Sequence, residues 1–184
     1  AFRISDPKPR DIHKASVRDR LVHHAIYRIL YPFFDRTFIA DSYSCRLEKG
    51  THRAMNRFRA CAYEVSKNHT RTVWVLKCDI KKFFASIDHA VLIEILERYI
   101  PDARSMALLR NIVGSFSTGS RIPPLARLAF GGKSGMTGRE SFEIGLPLGN
   151  LTSQLFCNIY MHEFDQFVKH TLHARYYIRY ADDF

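Results

Sequence analysis

The sequence predicts an α+β fold, and three observations support this prediction. Residues 72–80 form an apolar, β-prone run whose side chains would alternate between two faces of a strand. A second such run, 175–181, is rich in aromatic and β-branched residues. Elsewhere apolar residues recur at helical spacing, most clearly over 151–172. Two strands combined with several helices place the chain in the α+β class.

The composition indicates a folded, basic protein. The chain has 184 residues, of which 46% are hydrophobic, so it can bury the core of one domain or two closely packed lobes. Disorder is excluded on the same ground. Lys and Arg outnumber Asp and Glu by 28 to 18, which gives a formal charge of +10. This charge favours a polyanionic partner, most often nucleic acid; the alternative is a basic soluble protein without one.

The cysteines and the hydropathy of the sequence indicate the cellular compartment in which the protein is expected. The four cysteines are far apart, without a CxxC pair, which argues against zinc and against a disulfide framework. We expect Cys45, Cys61, Cys78 and Cys157 to be small buried side chains in a reducing compartment. The sequence contains no signal peptide and no apolar run of transmembrane length. A cytoplasmic protein with no membrane partner is therefore expected.

The first seventy residues predict two helices after a basic start. Residues 1–20 are polar and basic, with prolines that favour an extended or looped segment. A helix should begin after Ser16, a suitable N-cap residue, and Pro32 should end or kink it. A second helix is expected from Thr51 to about Lys67.

The strand over 72–80 is followed by helical and glycine-rich segments. Trp74, Leu76, Cys78 and Ile80 would share one face of this strand, with Asp79 on the other. Three helical pieces are expected after it, over 82–87, 89–99 and about 103–116. Glycines and prolines make 117–144 a long polar connection, a type of segment that is often functional.

Three carboxylates suggest a metal site. Asp79 ends the first strand, where a carboxylate is costly unless it is bound to a metal or paired with a lysine. Asp182 and Asp183 follow the last strand, where the alternative is a solvated hairpin turn. Hard oxygen ligands suit Mg²⁺, which binds through one or two carboxylates and substrate phosphates. Two such ions about 4 Å apart would activate a 3′-hydroxyl and stabilise a leaving pyrophosphate.

A glycine- and proline-shaped turn precedes the long helix. The run Gly145–Gln154 leads into the helix N-terminus, where backbone N–H groups suit a nucleotide or phosphate. The alternative is an ordinary start of a helix capped by Asn150 or Thr152.

Together these segments resemble a reverse transcriptase of the bacterial type. Asp79–Phe84 is similar to the first catalytic motif of that family, Gly145–Gln154 to its nucleotide-site loop and helix, and Tyr180–Asp183 to its metal-binding hairpin. Segments within 10–24 and 42–52 resemble its fingers blocks. The resemblance covers nearly the whole chain, with the motifs in the family's order.

The resemblance implies a right-hand polymerase, and with it roles for single residues. Asp79, Asp182 and Asp183 would be catalytic, with Asp79, Asp182 and the carbonyl of Ile80 binding two Mg²⁺ ions, for which Mn²⁺ could substitute. The nucleotide-binding residues would be Phe84, as the aromatic gate that excludes a 2′-hydroxyl, with Leu148, Gly149 and candidate arginines Arg10, Arg18 and Arg20. Tyr180 and Lys77 would lie near the primer and template. The implied partners are an RNA template, a DNA or RNA primer, and dNTPs.

The resemblance also implies a domain map. A small antiparallel palm sheet carrying Asp79 and Asp182 would be backed by helices. The fingers would span about 1–72 and 103–145, and the palm about 73–102 and 146–184. The return strand of the hairpin and the thumb are not in the sequence, so we expect a fragment that is inactive alone.

One departure from the family pattern points to a subtype. Many reverse transcriptases have Gln at the position of Leu148 and Pro at that of Gln154. The form found here resembles the enzymes of diversity-generating retroelements, which copy a template RNA with errors at adenines and which imply a small accessory protein. An aliphatic side chain offers no hydrogen bond to the nucleotide, so a looser check of base pairing is reasonable.

Several alternatives stay open. Within the class they are a group II intron protein, a retron polymerase and an antiphage reverse transcriptase. Outside it they are a non-catalytic nucleic-acid-binding scaffold on a polymerase fold and an RNA polymerase of the same architecture. The intact aspartates argue against the scaffold, and Phe84 argues against the RNA polymerase.

Overall fold

The computed structural model describes the backbone of residues 2–4 and 10–12 and the whole of residues 15–115 and 144–184. Its elements are β1 (Phe2–Ile4), β2 (Arg10–Ile12), α1 (Val17–Asp35), α2 (Thr51–Val65), α3 (Phe83–Ser86), α4 (His89–Tyr99), α5 (Ala103–Gly114) and α6 (Leu151–Gln166). The predicted connection over 117–144 lies outside the described residues except for Ile144. In the described ranges, no helix is long and apolar enough to cross a membrane.

The chain forms two compact units. The first comprises residues 1–12 and 84–148, and the second comprises 13–83 and 149–184. In the first unit β1 and β2 pair antiparallel, so residues 2–4 and 10–12 of the basic start are extended, which is one of the two predicted forms. The predicted division into fingers and palm stays a prediction.

In the first unit α4 packs against α5 through buried leucines and other apolar side chains. Both helices begin at a capping aspartate. The Asp88 carboxylate accepts hydrogen bonds from the backbone N–H groups of Ala90 and Val91. Asp102 accepts one from the N–H of Ser105. These caps satisfy N–H groups that the helix leaves unpaired, which explains why α4 begins where the sequence predicts.

In the second unit α1 packs against α6. α1 begins after Ser16, whose Oγ accepts from the N–H of Asp19, as predicted. Pro32 does not end this helix, which continues to Asp35. Tyr31 and Phe34 are buried on either side of the proline, and their packing offsets the hydrogen bond that proline removes.

The predicted strands are wrong as continuous elements. In the described part of the second unit, 72–78 carries no strand, and strand-like pairing is limited to single bridges, among them Asp79 with Asp183 and Tyr180 with Asp183. Trp74 and Leu76, expected on a buried face, are 93% and 85% exposed. A strand needs a neighbour to complete its hydrogen bonds, and within the described ranges 72–77 has none. The small antiparallel palm sheet is therefore not formed in these ranges.

Two smaller expectations also change. The last helix was expected to run to Leu172, but α6 ends at Gln166 and a π-helical turn, Phe167–Thr171, follows it. All four cysteines carry free thiols, as expected, but Cys45 is exposed and Cys78 is half-buried. Cys45 lies in a loop with a φ of 54°, where packing does not cover the side chain.

Candidate functional site

Two short segments of the second unit meet at the predicted catalytic residues. Cys78 and Phe184 exchange two backbone hydrogen bonds, of 2.6 and 3.0 Å. The N–H of Ile80 donates to the carbonyl of Asp182 over 3.3 Å, and Asp79 stands opposite Asp183 in an antiparallel bridge. This pairing brings Asp79 to the Asp182–Asp183 turn, although the two segments are far apart in the sequence.

The second segment contains a tight turn. Tyr180 and Asp183 exchange backbone hydrogen bonds of 2.8 and 3.1 Å, which leaves Ala181 and Asp182 as the two central residues. Ala181 has a φ of 58°, as the first central residue of a type II′ hairpin turn does. A residue with a Cβ in this conformation costs about 1–2 kcal/mol, so the surrounding contacts must hold it.

The carboxylates of this site are accessible. Asp79 is exposed and Asp182 is partly exposed. The side chain of Asp183 is 46% exposed, and its Oδ1 lies 3.3 Å from Nζ of Lys77, which is 76% exposed. An ion pair this exposed contributes only about 0–1 kcal/mol. The sequence suggested a lysine partner for Asp79, but in the structure Lys77 pairs with Asp183, the residue opposite Asp79 in the bridge.

The donor set fits a hard divalent cation. The candidate ligands are the carboxylates of Asp79, Asp182 and Asp183 and nearby backbone carbonyls, and oxygens of this kind are the ligands that Mg²⁺ prefers. Over residues 15–115 and 144–184, no three His, Cys, Asp or Glu side chains are arranged as a ready cluster. Mg²⁺ does not need one, because it usually binds one or two carboxylates and completes its shell with water and phosphate.

Cys157 in α6 is a buried thiol whose environment includes Asp182. Burial raises the pKa of the Cys157 thiol well above its ordinary value; Cys45 and Asp182 raise this pKa further, and the positive charge of Arg179 opposes them. The thiol is therefore protonated at neutral pH and adds no charge beside the aspartates.

In the first unit the predicted nucleotide loop is fastened to the segment that carries Phe84. The N–H of Leu146 donates to the carbonyl of Phe84 over 2.7 Å, and the N–H of Gly145 donates to that of Ile87 over 2.8 Å. Nε2 of His89 lies 2.6 Å from the carbonyl oxygen of Gly145. The structure thus brings Phe84 together with the loop that leads to Leu148. His89 was not predicted, since a histidine at a helix start gives no signal of a distant carbonyl partner.

The start of α6 is not capped by a side chain. Asn150 occupies the N-cap position, but it makes no side-chain cap bond. Thr152 Oγ1 instead bonds Nδ1 of His23 at 2.8 Å. Gly149, with a φ of 105°, adopts a conformation that favours glycine, and it is exposed.

The remaining predicted residues are divided between the two units. Arg10 lies in β2 of the first unit, whereas Arg18 and Arg20 are exposed in the first turn of α1 in the second unit. Tyr180 is partly exposed, and its Oη accepts a 3.0 Å hydrogen bond from Thr51 Oγ1 at the start of α2. The roles assigned to these residues stay predictions.

One functional candidate was missed altogether. Arg179 precedes Tyr180 and is 1% exposed, paired with Asp165 of α6, which is 0% exposed. An arginine within an apolar run is the only sequence signal of this pair, and it does not identify the partner.

The chain belongs to the reverse transcriptase family. It matches the family model for reverse transcriptase (RNA-dependent DNA polymerase) over residues 5–184. This match agrees with a site at which Asp79 meets an Asp-Asp turn.

Its relatives include longer proteins, several of them encoded in introns. Protein YkfC of Escherichia coli is 30% identical over 174 residues, which cover 94% of this chain and 39% of that protein. The group II intron-encoded protein LtrA of Lactococcus lactis is 25% identical over 164 residues, covering 88% of this chain and 23% of LtrA. An uncharacterized 91 kDa protein in the cob intron of Schizosaccharomyces pombe is 26% identical over 161 residues, covering 87% and 17%. The chain thus spans about two-fifths or less of the length of these curated relatives.

Proposed function

We propose that the protein containing this chain is an RNA-directed DNA polymerase, which transfers dNMP from a dNTP to a primer 3′-hydroxyl. The observation that carries the proposal is the pairing of 78–80 with 182–184, which places Asp79 beside the Asp182–Asp183 turn. Membership of the reverse transcriptase family supports it.

In this proposal Asp79 and Asp182 hold the metal ions, together with the Ile80 carbonyl, and Asp183 supports them. Two bound Mg²⁺ ions, or Mn²⁺ in their place, would neutralise charge on the attacking and leaving oxygens. The protein's own task is then positioning, because phosphoryl transfer needs little side-chain nucleophilicity. The partial exposure of Asp182 leaves room for a triphosphate to approach.

The nucleotide would lie against the segment that carries Phe84 and the loop fastened to it. The backbone hydrogen bond from Leu146 to Phe84 holds the loop that leads to Leu148 beside the proposed gate. A phenyl ring under the sugar clashes with a 2′-hydroxyl, so the product would be DNA. Arg10, Arg18 and Arg20 remain candidates for binding the triphosphate.

An RNA template and a DNA or RNA primer are the proposed macromolecular partners. The formal charge of +10 supports binding to phosphate backbones. Tyr180 and Lys77 flank the aspartates on the two paired segments, which suits contacts with the primer and template.

Primer extension tests the proposal. In the full-length protein, Asp182→Asn should abolish extension of a primer on an RNA template with dNTPs and Mg²⁺, because an amide is a poor ligand for a hard cation. Asp102→Asn is the matched control, since it changes an exposed aspartate and leaves a residue that can still cap α5. Extension by the Asp182→Asn protein at the rate of the control would contradict the metal-site assignment. Template binding without extension by the unmodified protein would favour the non-catalytic scaffold.

The subtype is a finer proposal with two candidates. The segment Leu148–Gln154 favours the error-prone enzyme of a diversity-generating retroelement, which would also require a small accessory protein. The similarity to LtrA, a group II intron-encoded protein, favours a group II intron protein. The error rate at template adenines distinguishes these two candidate subtypes. Substitution of Leu148 tests whether this residue determines that rate.

A further inference from the structure

A fully buried guanidinium lies directly behind the proposed catalytic turn. All five N–H donors of Arg179 have an acceptor. Nε and Nη2 donate to the carboxylate of Asp165 at 2.8 Å each, and Nη2 also donates to Ser42 Oγ at 3.0 Å. Nη1 donates to Asn158 Oδ1 at 3.1 Å and to the carbonyl oxygen of Ala181 at 3.0 Å.

The backbone of Arg179 is fixed as firmly as its side chain. Its N–H donates to the carbonyl of Asp41 over 2.9 Å, and its carbonyl accepts from the N–H of Tyr43 over 3.0 Å. The guanidinium is therefore anchored to α6 on one side and to the 41–43 segment on the other. Its bond to Ala181 is the contact through which this anchored group reaches the turn.

The atom that Arg179 holds lies at the strained position of the turn. Ala181 has a φ of 58°, and its carbonyl belongs to the peptide that leads into Asp182. Fixing that peptide limits the directions in which the Asp182 carboxylate can point from the backbone. A charge-assisted hydrogen bond to a carbonyl is also among the stronger ones available to the chain.

Net stability alone does not account for such a group. Desolvation of two buried charges often cancels their attraction, and apolar replacements of similar volume are frequently as stable. A fully satisfied buried network does, however, impose one geometry on its neighbours. The 41–43 segment, α6 and the turn all meet at Arg179.

We propose that Arg179 is a positioning residue: through the Ala181 carbonyl it sets the backbone that presents Asp182 and Asp183 to the metal ions. This inference rests on the proposed function. Partners behind metal ligands typically change metal affinity or activity by about 10- to 100-fold when they are lost.

The test compares substitutions in the full-length protein by kcat, by the KM for dNTP and by the Mg²⁺ concentration at half-maximal extension. Arg179→Lys keeps a cation for Asp165 but loses the fork that reaches Ala181. We expect kcat to fall about 10- to 100-fold and the half-saturating Mg²⁺ concentration to rise, with a smaller change in KM for dNTP.

Tyr177→Phe is the matched control. The Tyr177 hydroxyl donates to Asp165 Oδ1 at 2.7 Å, so its loss weakens the same buried network without removing any donor of Arg179. This variant should melt at a lower temperature and keep the wild-type Mg²⁺ dependence. If Arg179→Lys and Tyr177→Phe shift stability and Mg²⁺ dependence alike, Arg179 is only structural and the proposal fails.

Two further variants keep the test decisive if Arg179→Lys does not fold. Arg179→Gln with Asp165→Asn leaves no unpaired buried charge and should show the same rise in half-saturating Mg²⁺. Ala181→Gly relieves the strain at the turn, so a double variant of Ala181 and Arg179 should lose less kcat than the two single effects predict. Strictly additive effects on kcat would overturn the proposal. Asp182→Asn and the unmodified protein are measured alongside. If the unmodified protein does not extend the primer, the proposed function has failed, and if Asp182→Asn remains active, the metal-site assignment has failed. If Asp182→Asn is inactive while the Arg179 variants behave as wild type, only this inference has failed.

Discussion

Phe84 is the residue on which the proposed choice of sugar depends. Its carbonyl is held by Leu146 and its side chain is partly buried, so the ring has a defined place. Phe84→Ala should raise the use of ribonucleotides by about tenfold or more, because the steric exclusion of the 2′-hydroxyl is removed. The measurement is single-nucleotide extension with dNTP and with rNTP.

Phe83 supplies the control for that prediction. It is the neighbouring ring and is 4% exposed, as a core residue is. Phe83→Leu should lower stability and leave the preference for deoxyribonucleotides intact. If Phe84→Ala still rejects ribonucleotides, the gate has been assigned to the wrong residue. Phe84 would then no longer argue against an RNA polymerase.

Leu148 is the residue that bears on fidelity. It is partly exposed at the end of the loop fastened to Phe84 and Ile87. Leu148→Gln should lower misincorporation opposite template adenine, because a side-chain hydrogen bond to the nucleotide adds discrimination against poor base-pair geometry. Sequencing of products from an adenine-rich template gives the error spectrum.

Leu148→Met keeps an apolar side chain of similar volume and serves as the comparison for Leu148→Gln. It should leave the errors at adenine unchanged. An identical spectrum for the Gln variant would remove the residue-level support for the diversity-generating subtype and leave the intron-encoded relatives as the better guide.

At the scale of elements, the contact between α1 and α6 predicts a pH dependence. Burial lowers the pKa of His23, and the charge of Asp19 opposes this only in part. The unfolded chain then binds a proton more readily than the folded one. Stability is therefore fully present above the ordinary histidine pKa of about 6.5 and is lost as pH falls from there toward the lowered value.

Urea unfolding at about pH 7.5 and pH 5.5 checks this prediction. His23→Gln can still hydrogen-bond Thr152 Oγ1, which lies 2.8 Å from His23 Nδ1, but it does not titrate. The wild type should lose more unfolding free energy on acidification than this variant does. Equal losses would show that the other histidines and the carboxylates account for the whole effect.

The helices and the strands differ in how far sequence predicts them. The α4 boundaries follow from local chemistry, a capping aspartate at Asp88 and a proline after Ile100, so they were predicted correctly. Residues 72–80 have a strand composition, but a strand also needs a partner, and local composition does not supply one.

The site shows the same division. The resemblance to reverse transcriptase motifs was enough to predict that the chain around Asp79 lies beside the turn that contains Asp182, whereas the catalytic roles of both residues stay predictions. His89 and Arg179 were missed because they act through atoms distant in sequence, the Gly145 carbonyl and the Asp165 carboxylate. Such pairs become visible only when the fold is known.

At the scale of the whole molecule, the net charge predicts how the proposed binding to nucleic acid depends on salt. With a formal charge of +10, binding to a template–primer duplex should release counterions from phosphates. We expect affinity for the duplex to fall at least about tenfold between roughly 50 and 200 mM salt. Fluorescence anisotropy of a labelled duplex in a salt series gives the slope.

An uncharged nucleic acid analogue of the same sequence is the control, because it has no phosphate counterions to release. Its binding should hardly change with salt. A duplex affinity that is equally insensitive would mean that base stacking and apolar contacts, and not phosphate contacts, dominate the interaction.

The exposure of Trp74 has a practical consequence for work in solution. The chain has one tryptophan, and its side chain is 93% exposed only a few residues before Asp79. In this chain all tryptophan fluorescence therefore originates beside the proposed active site, from an indole in contact with water. Any strand, duplex or subunit that covers this segment will shift the emission to shorter wavelength and shield it from a soluble quencher, so the protein carries its own optical probe of assembly.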